Sequence, residues 1–200
     1  MDKHRFGMAG YGLCLPQQLE TESELMDRTG LDRETLAALG LRSRYRPSPE
    51  DQPVPMAEKA ALQAFERAGT ITPEMVDLVL WTGEEYKDYI AQTASIRLQE
   101  AIGCRRAWAF DLVGQGVSLL HGLRVARDIM IGDRDLQTVL LAGGTRNIDL
   151  VDQRRPETRF LLPYSASGAA MILQRGVLNN ELVDVRLKAD PVMADEVCVP

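Results

Sequence analysis

Phe110-Asp111-Leu112-Val113-Gly114-Gln115-Gly116-Val117-Ser118-Leu119 reads as the end of a strand, a glycine-bearing turn and the start of a helix. The strand finishes at Asp111, the turn is small and flexible, and an apolar helix follows at once. Such an elbow presents one side chain to a helix N-terminus, where the dipole favours a thiolate or an oxyanion. The helix itself, expected over residues 116–131, carries Val117, Leu119, Leu120, Leu123, Val125, Ala126, Ile129, Met130 and Ile131 around most of its circumference. A helix apolar nearly all round is buried on more than one side.

Outward from the elbow the chain alternates. Residues 6–15 form a small, apolar strand candidate bracketed by Gly and Pro. Thr21-Glu22-Ser23-Glu24 offers a helix start, and Asp32 caps a second short helix that Gly40 stops. After a Pro-rich charged loop over 47–55, residues 56–68 place Ala57, Ala60, Ala61, Ala64, Phe65 and Ala68 at helical spacing, with Gly69 as the stop. Thr72-Pro73-Glu74 is another helix start. Strands are expected over 76–81, 107–112, 138–142, 169–173 and, from clean alternation, 182–187; a helix is expected over 93–102. Strands alternating with helices imply an α/β fold with a mostly parallel sheet. The long irregular stretch 144–159, rich in Arg, Asp and Pro, is of the kind that carries function.

The composition limits what such a chain does. Of 200 residues, 45% are hydrophobic and 26% charged, the profile of a globular chain. No run approaches the ~18 apolar residues of a membrane helix. The charged start, Met1 to Arg5, lacks the apolar core of a secretion signal, so the cytoplasm is expected. A net charge of -6 with no basic stripe argues against nucleic acid as a partner. Cys14, Cys104 and Cys198 are too scattered for a disulfide framework and suit a reducing compartment.

Other motifs are weak. Gly10-Tyr11-Gly12 lacks the third glycine of a dinucleotide fingerprint and is followed by Pro16. Gly143-Gly144-Thr145 reads as a turn. No metal-binding spacing is present, and with only His4 and His121 a Ser-His-Asp arrangement is not expected. His121 reads as a satisfied core histidine.

The elbow resembles that of the ketoacyl-ACP synthase III branch of the thiolase superfamily, where a strand ending in Phe-Asp leads through small residues to the catalytic cysteine. Further segments are similar in the same order: Ala9 to Pro16 to the opening strand, Ala38-Leu39-Gly40-Leu41-Arg42-Ser43-Arg44 to its Thr-Gly-Ile-x-x-Arg element, and Tyr164-Ser165-Ala166-Ser167-Gly168-Ala169-Ala170 to a strand usually reading Phe-Gly-Asp-Gly-Ala-x-Ala. The resemblance implies a thiolase-like layered fold: a βαβαβ half, its mostly parallel sheet covered by helices on both faces. It places residues 1–175 in the N-terminal half, with a loop insertion at 144–160, and 176–200 at the start of a second half or in a closing strand. The family fold has two such halves, so the natural protein is expected to be longer, or another chain to cover the apolar helix.

The departures matter as much. In ungapped register from Asp111 the family cysteine falls on Gly116, which cannot form an acyl-thioester. The family's later His and Asn lie beyond Pro200. Ala166 and Ser167 replace Asp-Gly, Glu34 stands where many members have a CoA-stacking Trp, and Arg159 lies near the arginine of that clamp. Three readings stay open. The chain is a non-condensing, pocket-forming partner of a cysteine-bearing homologue. Alternatively, Gln115 takes the elbow position and stabilises the enolate left by malonyl decarboxylation. Or another residue acts, with Glu84 (or its neighbour Glu85) as general base at the C-terminal end of a strand and Ser118 as a substrate-binding or nucleophilic hydroxyl. In each case the resemblance implies a CoA or ACP-phosphopantetheine thioester as substrate, no resident cofactor or metal, and a homodimer or heterodimer formed edge strand to edge strand.

Overall fold

Leu78-Val79-Leu80-Trp81 is apolar without alternation, and all four side chains are buried, the mark of a strand covered on both faces. Val79 and Trp81 point into one core and Leu78 and Leu80 into another. The computed structural model describes residues 5–84, 88–89, 91–152 and 155–193. Along it run β1 (Phe6–Cys14), β2 (Gln18–Thr21), α1 (Glu22–Thr29), α2 (Arg33–Ala38), β3 (Ser43–Arg46), α3 (Pro53–Ala68), β4 (Leu78–Trp81), α4 (Ala94–Ile102), β5 (Trp108–Asp111), α5 (Ser118–Gly132), β6 (Thr138–Thr145) and β7 (Ser167–Arg175).

Five strands form the main sheet in the order β1-β7-β6-β4-β5. β4 pairs in parallel with both β5 and β6, while β7 is antiparallel to both β6 and β1. Four strands therefore share one direction and β7 alone opposes them, so the mostly parallel sheet expected from the alternation is the one observed. Helices α3 and α4 cover one face and α5 the other.

The first layer is drawn tight by small residues. Ala57, Ala60, Ala61 and Ala64 put a fully buried alanine stripe on α3. Opposite them, a Cβ added at Gly12 of β1 would lie 1.9 Å from the Ala60 carbonyl oxygen, and one at Gly10 would lie 2.2 Å from that of Ala64. Gly10-Tyr11-Gly12 is thus a packing device that lets helix backbone touch strand backbone. Gly144 has the same use at the other end of α3, where a Cβ would sit 2.1 Å from the Pro53 carbonyl.

A satellite layer of β2, β3, α1 and α2 closes over Leu25, Leu36, Leu41 and Leu162. Thr21 and Glu24 cap α1 reciprocally, as the sequence signalled. Glu20, 3% exposed, accepts hydrogen bonds from Arg28 and from the equally buried Arg44, whose Nη1 also donates to the Leu162 carbonyl at 2.7 Å. Arg44, quoted above within a family-like motif, is thereby a structural cation.

Several expectations need correction. Residues 182–187 form no strand. Contact with β1 ends at a Gly7–Glu181 bridge and a bond from the Leu182 amide to the Phe6 carbonyl. Asp184 then bonds its neighbour's amide and Arg186, a local alternative to a ladder. Gly143-Gly144-Thr145 is not a turn but the end of β6. Pro53 rather than Met56 opens α3, with Pro in the first turn. Thr72-Pro73-Glu74 starts only a three-residue 3-10 turn, because the sheet claims Leu78 so soon afterwards. Within 144–159 the irregular chain winds into 3-10 turns at Asn147–Leu150 and Pro156–Leu161. Helix α5 lies on the sheet face opposite α3. It buries Ser118, Gly122, Ala126 and Met130 against the sheet, while Val117, Leu120 and Ile131 are exposed. Among the described residues no helix is long and apolar enough to cross a membrane.

Candidate active site

Parallel strands bring their C-terminal ends to one edge, where ligands meet open α/β sheets. At that edge Asp111 ends β5, but its carboxylate points back into the fold. Oδ2 accepts from the Ala94 amide at 3.1 Å and Oδ1 from the Ser95 amide at 2.9 Å. These are orphan donors of the first turn of α4, so Asp111 caps that helix from a distant strand.

Beyond Asp111 the chain turns through a short 3-10 segment, Gln115–Val117, into α5. Gln115 has φ = 50°, and no other non-glycine residue described has a positive φ. A glutamine held there is locally strained, and such strain gathers at functional sites. Ser118 locks the turn. Its hydroxyl accepts from the Gly114 amide at 3.0 Å and donates to the Gln115 carbonyl at 2.7 Å. Behind the turn the His121 ring packs on Gly114, where an added Cβ would lie 2.3 Å from Nδ1. Gly116 is the opposite case. A Cβ built there meets nothing within 4 Å, and its φ is not positive. The elbow thus offers room for a side chain and has none.

A cleft of about 260 Å³ opens over this point, lined by Glu84, Gln115, Gly116, Thr145, Asn147, Pro163, Tyr164, Ser165 and Ser167. Three sequence-derived candidates, Gly116, Gln115 and Glu84, therefore meet in one place. Glu84 follows β4, with its amide toward the Gly144 carbonyl at 3.4 Å, and one of its carboxylate oxygens is buried. Glu85 lies outside the described residues.

Two other candidates are not brought in. Ser118 is 2% exposed, its hydroxyl is committed to the elbow backbone, and it does not line the cleft. Its hydroxyl braces the elbow backbone. Arg159 sits exposed on the 3-10 turn Pro156–Leu161, away from the cleft wall. The described thiols are no substitute for an elbow nucleophile. Burial pushes the Cys104 thiol up to about 12. Burial likewise raises Cys14, with Lys59 opposing and Asp51 adding to the rise.

Sequence reasoning passed over Thr145 and Asn147. Thr145 is the last residue of β6 and Asn147 lies two residues beyond it, and the irregularity of 144–159 was their only signal. Tyr164, Ser165 and Ser167 belong to a segment singled out for its order in the chain rather than for lining a cleft. The Ser165 hydroxyl donates to the Tyr45 carbonyl at 2.7 Å, tying this wall to the satellite layer.

The chain is 31% identical over 127 residues to the beta-ketoacyl-[acyl-carrier-protein] synthase III of Erythrobacter litoralis, covering 63% of this chain and 39% of that protein. To the synthase III of Rhizobium meliloti it is 26% identical over 185 residues, 86% of this chain and 55% of the relative. The chain is ketoacyl synthase III-like in sequence and thiolase-like in fold. The priming beta-ketosynthase of the R1128 polyketide biosynthetic pathway superposes with a TM-score of 0.78 over 86% of this chain and 51% of its own, at 22% identity. At that identity the likeness speaks to fold alone, and it bears out the thiolase-like architecture. No family model matches the chain. This ketoacyl synthase III-like chain spans about half the length of the curated relatives it matches.

Proposed function

We propose that this chain belongs to a non-condensing ketoacyl synthase III-like protein that forms a thioester pocket and works beside a cysteine-bearing homologue in fatty-acid or polyketide-type acyl metabolism. One observation carries the reading: the elbow residue with open space above it is Gly116, which has no nucleophile. The cleft around it mixes polar side chains with apolar wall from Pro163 and Tyr164, which suits a CoA or acyl-carrier-protein thioester better than a metal or a nucleotide. The cytoplasm is the compartment in which such thioesters are drawn on. β5 forms one outer edge of the sheet, with Trp108 half-exposed upon it, which supports edge-to-edge pairing with a second ketosynthase subunit.

A second reading is favoured by the positive φ of Gln115. With its side chain at the cleft, the Gln115 amide would donate to the thioester oxygen as malonyl C–C cleavage releases carbon dioxide and leaves an enolate. The enolate would then take a proton from solvent or from Glu84. Assays with malonyl-CoA and acetyl-CoA, with and without a cysteine-bearing ketosynthase III, separate the two. Carbon dioxide release by the chain alone that is lost in Gln115→Ala supports decarboxylation. Inertness alone, with stimulation of the partner's condensation, supports the partner role. No carbon dioxide from the chain alone, together with no stimulation of the partner's condensation, overturns both.

A further inference from the structure

At the edge of the main sheet opposite β5, β1 pairs with β7 on one side and ends the strand order. An edge strand left bare offers its outward N–H and C=O groups to any extended chain. On β1 such groups are taken. Near the start of the strand the returning chain covers them: the Met8 amide donates to the Asn180 carbonyl at 2.9 Å, and the Leu182 amide to the Phe6 carbonyl at 3.0 Å. Near its end two side chains of α3 do the same. The Leu13 amide donates to Gln63 Oε1 at 2.8 Å, and Arg67 Nη1 donates to the Tyr11 carbonyl at 3.0 Å, with the guanidinium carbon 4.4 Å from the centre of the Tyr11 ring.

The spacing accounts for the fit. Gln63 and Arg67 lie four residues apart, ~6 Å along a helix, and Tyr11 and Leu13 lie two apart, ~6.6 Å along a strand. Helix and strand run in opposite senses, in the register in which Ala60 meets Gly12 and Ala64 meets Gly10. The absence of side chains at those two glycines lets α3 settle onto β1, which brings Gln63 and Arg67 within reach of the outer edge. Tyr11 and Leu13 are themselves 48% and 56% exposed, so the edge without its cover would be both unpaired and apolar.

We propose that Gln63 and Arg67 guard the β1 edge, holding it closed against antiparallel pairing with the β1 of a second copy of this chain. A second copy is the occupant this edge fits. Two β1 strands laid antiparallel about a two-fold axis at Gly12 set Tyr11 opposite the partner's Leu13, and Leu13 opposite the partner's Tyr11, an apolar match on both sides of the axis. The assignment holds whichever way the cleft over Gly116 is read.

Sedimentation velocity over a range of concentrations tests it, comparing the whole unmodified chain with Gln63→Ala/Arg67→Ala. Both positions lie off the buried stripe of α3, and alanine is a strong helix former, so the variant is expected to fold. It is expected to self-associate about tenfold more tightly than the unmodified chain. Adding Tyr11→Pro is expected to abolish that gain, because the N–H and C=O of one strand residue share a side and proline removes the outward N–H. No gain, or a gain that survives Tyr11→Pro, overturns the proposal. Hydrogen exchange supplies a second reading: the Leu13 amide is expected to exchange about tenfold more slowly in the unmodified chain than in Gln63→Ala. Equal exchange at Leu13 overturns the guard at its first contact.

Discussion

The Asp111 carboxylate at the end of β5 accepts a hydrogen bond from the Ser95 amide at 2.9 Å, and a second from Ala94, so the elbow strand and α4 are fastened together. The Phe-Asp pair preceding the elbow therefore serves architecture: it fixes where β5 stops and hence where the turn begins. Asp111→Ala removes the cap of a helix whose N-cap side chain supplies no bond. A loss of about 1–2 kcal/mol is expected, read as a lower denaturant midpoint at unchanged slope.

Glycine substitutions are expected to divide sharply. Gly12→Ala places a methyl carbon 1.9 Å from the Ala60 carbonyl, which strand and helix can relieve only by separating. Destabilisation of at least 1–3 kcal/mol is expected, by analogy with overpacking. Gly116→Ala meets open space and is expected to change stability by roughly 0.5 kcal/mol or less. Thermal unfolding of the two variants side by side checks both. Equal effects would contradict the packing described.

Glu20 should make the fold acid-sensitive. Burial alone would raise its carboxyl, but hydrogen bonds and charge from Arg28 and Arg44 outweigh that and hold it below the usual carboxylate range. A carboxyl lowered on folding contributes stability in full above its unfolded value, about 4.5, and loses it as pH falls through the lower folded value. Stability measured from pH 7 downward should therefore drop below about 4.5. Glu20→Gln should flatten that part of the drop and cost ~3–5 kcal/mol at neutral pH, because Arg44 is left buried and uncompensated.

Thiol chemistry should follow burial. Cys104 lies wholly inside the α3/α4 core and ionises only near 12, so alkylation at pH 8 should require unfolding. Peptide mapping after iodoacetamide at native and denaturing conditions reads this directly. Rapid native modification of Cys104 would contradict the core assignment.

Much of this was legible in the sequence because local signals and tertiary demands agreed. The alanine spacing of α3, the Thr21/Glu24 box and the unalternating β4 each point to the environment found. Residues 182–187 misled because alternation reports a two-faced segment and not the presence of a free sheet edge; Asp184 satisfied the backbone locally instead. Gly143 and Gly144 misled because a glycine used for close backbone contact looks the same as one used for a turn. At the site, strand ends announced Glu84 and the elbow. Asn147 carried no signal beyond the irregularity of 144–159, since its place on the cleft wall arises from the return of the chain along β7. Ser118 attracted attention as a hydroxyl beside the elbow, and only its two hydrogen bonds reveal a brace.

The claim at the centre is that Gly116, with its empty space, occupies the nucleophile position of a ketosynthase III-like elbow. Intact-mass spectrometry with peptide mapping, after incubation with acetyl-CoA, tests it on the unmodified chain, Gly116→Cys and Gln115→Cys. The expected result is no acyl addition to the unmodified chain, acetylation of the introduced cysteine in Gly116→Cys, and none in Gln115→Cys. Acylation of the unmodified chain, or of Gln115→Cys in preference to Gly116→Cys, would contradict the account.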